Sequence, residues 1–336
     1  MTRAFICGCS AKALRDDERR FLRDAQPFGV ILFKRNVETP DQVRALVSDV
    51  QDCLGGRAAI LVDQEGGRVQ RLGPPHWRAY PAAGRLGAAA RPLADAKALV
   101  YRVARIMAAD LLQLGINVDC LPVLDVPVAG SHDVIGNRAY GDDPQRVSVL
   151  GRAAAEGLMA GGVLPVMKHV PGHGRAGVDS HHDLPRVTAP LEELLRRDFA
   201  PFIDNADLPA AMTAHVVYTD IDSQRPATVS PKVVGDHIRG TIGFAGLLMS
   251  DDLSMQALQG TLRERAAAAF GAGVDIALHC NGDLDEAAGV AAAAPHLAGA
   301  ALARAEAAMA RRDVAGGAFD PVEAWAEVAG QLAIAG

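Results

Sequence analysis

The chain has 336 residues, 49% of them apolar and 22% charged, with a formal charge of −6. That balance suits a folded chain with a sizeable core; it excludes a disordered polymer and carries no basic footprint for nucleic acid. Only a short apolar run, 4–7, precedes the first charges, and no stretch is apolar for long enough to cross a bilayer, so neither a secretory leader nor a membrane anchor is expected. The expectation is a cytoplasmic protein acting as a monomer, with no nucleic acid or membrane partner. Cys7, Cys9, Cys53, Cys120 and Cys280 are scattered without a C-x-x-C pair, which suits reduced, buried thiols better than disulfides or a zinc knuckle.

Taken in order, the chain offers eight short aliphatic runs that read as strands: AFIC (4–7), GVILF (29–33), AAILVD (58–63), INVDCL (116–121), VLPVMK (163–168), AAMTAH (210–215), GLLMSD (246–251) and VDIALH (274–279). They are continuous rather than alternating, as strands covered on both faces are. Helices are predicted between them. Thr39-Pro40-Asp41-Gln42 reads as a capping box with proline at the first helical position, and Gly55-Gly56 as the stop. A longer helix over 92–114 sets Leu99, Val103, Met107, Leu111 and Leu114 on one stripe and halts at Gly115. Asp143-Pro144, Ser230-Pro231 and Asp320-Pro321 repeat the N-cap-then-proline signature. The Ala-rich segment 283–312 reads as closing helices packed on a single catalytic domain covering 1–336.

Strand then helix, about eight times over, is the pattern of an α/β protein built as a single (β/α)₈ TIM-type barrel, with a doubly wound open sheet as the alternative. The strand ends favour the barrel. Asp63, Asp119, Lys168-His169, His215 and Asp251 all fall there, and a barrel gathers such ends into one pocket whereas an open sheet spreads them along an edge.

Several constellations could carry chemistry. Asp179 and His181 are one residue apart; in an extended loop both side chains face one way, so the carboxylate can hold the imidazole and raise its pKa to serve as proton donor and acceptor. The plainer alternative, a turn aspartate capping its own backbone beside a solvated histidine, stands slightly ahead for this pair taken alone. Ser250-Asp251-Asp252 follows GLLM, and Asp251, nearer the strand, is favoured for the pocket as a nucleophile, with Asp252 capping the next turn; both residues starting a helix is an equal alternative. Asp63 and Arg71 flank paired glycines and together offer the acceptors and donors that a polyhydroxylated ligand needs, against a plain surface salt bridge. Arg138 lies between glycines on a long loop and could equally be an exposed arginine. His169, His173, His181 and His182 with Asp179 lack a metal-site spacing, and no phosphate-cradling glycine motif follows a strand; no metal and no cofactor is expected.

VDQEGGRVQR (62–71), KHVPGHG (168–174), DSHHDLP (179–185), MTAHVVY (212–218) and SDDLSM (250–255), in that order, resemble glycoside hydrolase family three, and within it the single-domain bacterial β-N-acetylglucosaminidases of peptidoglycan recycling. The resemblance runs from about residue 25 to 280. It implies a retaining, two-step hydrolysis on a (β/α)₈ barrel, in which Asp251 is the nucleophile, His181 the acid/base and Asp179 the residue that orients it. Asp63, Arg71, Arg138, Lys168 and His169 match positions that bind the non-reducing N-acetylglucosamine, and the implied substrate is a cytoplasmic muropeptide. Retaining glycosidases ordinarily use two carboxylates; here a His–Asp dyad would stand for the second. Lys168 and Arg71 would keep Asp251 ionised. The loop around Arg138 reads GNRAYG where the family pattern has an acidic residue and a serine near the arginine. Two other activities fit the same residues: a glycoside phosphorylase, since a neutral histidine repels incoming phosphate less than a carboxylate would, and a sugar-binding barrel without catalysis.

Overall fold

Each of the eight predicted runs contributes a strand, and the strands follow one another around the sheet in their order in the chain. The computed structural model describes residues 1–89, 92–177, 184–311 and 319–334. The strands are β1 (Arg3–Gly8), β2 (Pro27–Leu32), β3 (Ala59–Val62), β4 (Val118–Asp119), β5 (Leu164–Pro165 and Met167–Val170), β6 (Ala210–Thr213), β7 (Leu247–Asp252) and β8 (Ile276–His279). All neighbouring pairs of the barrel are parallel. The first half of β5 pairs with β4 and its second half with β6, so β5 stands at both ends of the strand order and the sheet closes on itself. Closure decides for the barrel and against the open sheet.

The strands read as unbroken apolar runs because alternate residues enter two different cores. Ile6, Ile31 and Leu61 point into the barrel, where they meet Val118, Val166 and Met249. Their neighbours Phe5, Val30 and Ile60 point outward into the layer between barrel and helices. A strand buried on both faces has no polar side to show in its sequence. At Gly29 the approach of β2 to β3 leaves no space for a side chain, since a Cβ there would meet the Ala59 carbonyl.

The helix signals act locally and hold. Thr39 accepts the Gln42 N–H (3.2 Å) at the head of Pro40–Leu54, which ends at Gly55 in the left-handed region. Gln42, however, accepts from the Glu38 N–H (2.8 Å) rather than from Thr39, so the capping box is half formed. Asp143 caps Pro144–Ala160 through the Gln145 N–H, and Asp320 caps Pro321–Ile334 through the N–H groups of Val322 and Glu323. All members of the expected stripe on Leu93–Leu112, with Leu114 just beyond it, are buried. Helix Gly299–Ala310 sends Ala305 and Ala308 into the inner core. Pro321–Ile334 lays Trp325 against Tyr80, ring centroids 5.4 Å apart. All five cysteines are buried and unpaired, and burial pushes the Cys7 thiol up to about 12. Among the described residues no helix is long and apolar enough to cross a membrane.

Candidate active site

The C-terminal ends of the strands surround a cavity of about 150 Å³. One wall is a chain of alternating charges built from distant segments. Asp63, directly after β3, accepts from Arg71 Nη2 through Oδ2 (2.8 Å) and from Lys168 Nζ of β5 through Oδ1 (2.8 Å). The same ammonium lies 2.7 Å from Glu65 Oε1. Glu65 in turn takes Nε and Nη2 of Arg138, both at 2.8 Å, in a two-pronged pair. Geometry of this kind matches the planar guanidinium to the planar carboxylate and is stronger than a single contact. Burial alone would raise both carboxyls, but the facing cations outweigh it: Lys168 and Arg71 hold Asp63 far below its ordinary value, and Lys168 and Arg138 hold Glu65 at about 2. Burial would lower the Lys168 ammonium, and Asp63 and Glu65 instead keep it well above its usual range. Three cations face two carboxylates, so the wall carries one net positive charge. Phe33, at the tip of β2, packs beneath Arg71, whose guanidinium carbon is 4.9 Å from the ring centre.

A second layer fixes the histidines. Asp125, buried in the loop after β4, accepts from His169 Nδ1 (2.6 Å) and from the main-chain N–H groups of His169 (3.2 Å) and His173 (2.6 Å). Burial would raise its carboxyl, yet His169 and His173 bring it to about 2. With Nδ1 engaged, His169 has its Nε2 left for the cavity it lines. The His173 ring also lines the cavity, 5.6 Å from the His169 ring.

Asp251 and Asp252 divide their tasks at the end of β7. Asp252 caps the following turn: Oδ1 accepts from the N–H groups of Ser254 (3.0 Å) and Cys280 (3.1 Å), and Oδ2 from the Ser254 hydroxyl (2.6 Å). Asp251, 9% exposed, uses only Oδ1 among the described residues, accepting the Asp252 N–H (2.8 Å). Burial alone would raise its carboxyl; His169 and His215, then the Asp252 N–H and Lys168, outweigh burial and keep it below the ordinary range. Arg71, expected to share that task, is instead paired with Asp63. His215 supports the turn from below: Nε2–H donates to the Asp252 carbonyl (2.9 Å), and Nδ1 accepts from the Thr228 hydroxyl (2.7 Å).

The chain folds into a barrel whose strand tips bring carboxylates, imidazoles and guanidinium groups around one small polar cavity, and residues 6–312 match the glycosyl hydrolase family 3 N-terminal domain. The chain belongs to glycosyl hydrolase family 3. It is a glycoside hydrolase. The β-hexosaminidase of Bordetella avium is 41% identical over 80% of this chain and 77% of its own length. That of Methylococcus capsulatus is 42% identical over 80% of each. The crystal structure of NagZ from Neisseria gonorrhoeae in complex with N-trifluoroacetyl-D-glucosamine superposes with a TM-score of 0.86 at 33% identity, covering 98% of both chains. A family 3 β-N-acetylglucosaminidase from Paenibacillus superposes with a TM-score of 0.87 at 30% identity, covering 98% of this chain and 67% of that one.

Of the residues singled out in the sequence of this family 3 hydrolase, Asp63, Arg71, Arg138, Lys168, His169 and Asp251 meet at the cavity. Arg138 does so despite its atypical loop, because its partner Glu65 comes from a different segment. The Asp63–Arg71 pair is a partly buried member of the wall rather than a surface bridge. Asp179 and His181 lie outside the described residues. Asp119, expected at the pocket, turns away from it: Oδ1 accepts the Gln64 N–H (3.0 Å), which anchors the segment after β3. Glu65, Asp125 and Phe33 were not singled out in the sequence; His173 was weighed only as a metal ligand, and His215 was expected at the strand ends. Glu65 stood in plain view two residues after Asp63; Asp125 lies six beyond Asp119, past the apparent end of the strand, with nothing local to mark it.

Proposed function

We propose that the protein is a retaining exo-β-N-acetylglucosaminidase that removes the non-reducing N-acetylglucosamine from cytoplasmic muropeptides, where it is linked to 1,6-anhydro-N-acetylmuramic acid, in peptidoglycan recycling. The observation that carries the reading is the state of the cavity's carboxylates. Asp63 and Glu65 have both oxygens on cations, and Asp252 has both in its turn. Asp251 keeps Oδ2 without a hydrogen-bond partner among the described residues, ionised and at the cavity, as a nucleophile requires. Its attack on the anomeric carbon breaks the glycosidic bond and forms a glycosyl ester. His181, its imidazolium stabilised by Asp179, gives its proton to the departing oxygen; as the neutral base it then takes one from the water that cleaves the ester. The charged wall of Asp63, Arg71, Lys168 and Arg138, with His169, supplies fixed donors and acceptors for the hydroxyls of one aminosugar. The β-hexosaminidase relatives and the aminosugar-bound Neisseria structure support that choice of sugar.

Stopping the enzyme with a 5-fluoro N-acetylglucosaminyl donor and locating the adduct by peptide mass spectrometry tests the mechanism. The label is expected on Asp251, and Asp251→Ala is expected to fold and to lose turnover. A label on any other residue, or accumulation of the sugar 1-phosphate when phosphate is added, would refute this reading.

A further inference from the structure

The turn that follows β5 holds His173 with unusual thoroughness. Gly172 has a φ of +139°, its carbonyl accepts the Tyr218 hydroxyl (2.6 Å), and a Cβ on it would press against the Asp198 backbone. At Gly174 a Cβ would run into the Val126 carbonyl. Between them the His173 N–H is fixed on Asp125. The main chain is therefore pinned on three sides, and the imidazole it carries is 3% exposed in the cavity wall beside His169.

The ring itself is left unsatisfied. Nδ1 is sealed from solvent without a partner, and neither ring nitrogen makes a hydrogen bond among the described residues. A buried polar atom without a partner costs about 1–3 kcal/mol, a cost that an apolar ring in its place would not carry. Burial, with His169, pushes the imidazole down to about 4 against the opposing pull of Asp125 and Asp251, so the ring is neutral at pH 7. A neutral imidazole has one N–H and one lone pair. A sealed lone pair is tolerated better than a sealed N–H, which puts the proton on Nε2, and with Nδ1 closed off the ring meets the cavity by that other edge.

We propose that His173 is a further substrate-contacting residue, whose Nε2–H donates to a hydroxyl or amide oxygen of the aminosugar bound against Asp251. The proposal rests on the glycosidase reading above, and it explains why a polar ring is kept where an apolar one would pack more favourably.

The test compares His173→Phe, which keeps the ring shape, with His173→Gln, whose amide nitrogen reaches the position of Nε2. Steady-state kinetics on a chromogenic N-acetylglucosaminide are read beside thermal melting. The Phe variant is expected to lose about tenfold in kcat/KM, mainly through KM, the loss of one neutral hydrogen bond. Its melting temperature should equal or exceed that of wild type, and the Gln variant should recover most of the loss. A Phe variant with wild-type kcat/KM overturns the proposal, as does one that melts earlier while Gln fails to restore activity. Absence of turnover by wild type would instead strike the glycosidase reading; calorimetric titration of N-acetylglucosamine into wild type and the Phe variant would still report on His173, equal affinities overturning it.

Discussion

Glu65→Gln tests whether the charged wall is a load shared by its members or a decoration of the cavity. Glu65 is 3% exposed and faces Lys168 and Arg138 at once. Its carboxyl is held at about 2 against an ordinary 4.5; at ~1.4 kcal/mol per pKa unit the fold favours its charged form by about 3 kcal/mol. Glutamine keeps the shape and removes the charge, leaving Arg71, Lys168 and Arg138 facing the single carboxylate of Asp63, and breaking a buried pair from one side costs ~3–5 kcal/mol. For a chain of 336 residues that corresponds to a fall of about 6–10 °C in melting temperature, at ~2 °C per kcal/mol. The sign with pH is set by the same numbers. A depressed carboxyl contributes stability that is complete above 4.5 and is lost as pH falls toward 2, so the variant should lack that part of the acid-side slope. In kinetics, KM for an N-acetylglucosaminide should rise about tenfold or more, because Lys168 and Arg138 lose the group that aims them. Differential scanning calorimetry and initial rates measure both effects. Glu38→Gln is the control, since the exposed Glu38–Lys12 pair should contribute less than ~1 kcal/mol. If Glu65→Gln melts within a degree of wild type and keeps its KM, the charges of the wall are not coupled.

Two further outcomes follow from the second layer. Asp125→Asn takes the charged acceptor from His169 Nδ1 while its carbonyl oxygen can still receive the two main-chain N–H groups; kcat/KM should fall about 10- to 100-fold with the circular dichroism spectrum unchanged, through loss of the fixed imidazole tautomer. The neutral His173 adds a pH dependence of its own. Its folded value of about 4 lies below the ordinary 6.5, so the unfolded chain takes up the proton first and stability drops as pH falls from 6.5 to 4. Denaturant titrations across that window should show a shallower slope for His173→Phe, and an unchanged slope would contradict the burial assigned to the ring.

What the chain states about itself locally was readable in advance. Eight aliphatic runs with no polar side declare strands covered on both faces, and Thr39, Asp143 and Asp320 cap the helices they were expected to cap, because burial pattern and capping involve neighbours a few residues apart. Asp63, Lys168, His169 and Asp251 were legible as strand-end residues and through their family motifs. The closure of the sheet at β5 was not, since no single run records which strands lie beside it. Asp251 was favoured over Asp252 because it lies nearer the strand, but the contact that holds Asp252 in its turn, the Cys280 N–H arriving from just beyond β8, was not legible. Glu65 acquires its importance only from Lys168 and from Arg138, 73 positions away, and Asp125 only from His169, 44 positions away. Periodicity reports how a residue is buried, while the partner that makes a buried charge tolerable comes from whichever segment the closed barrel carries to it.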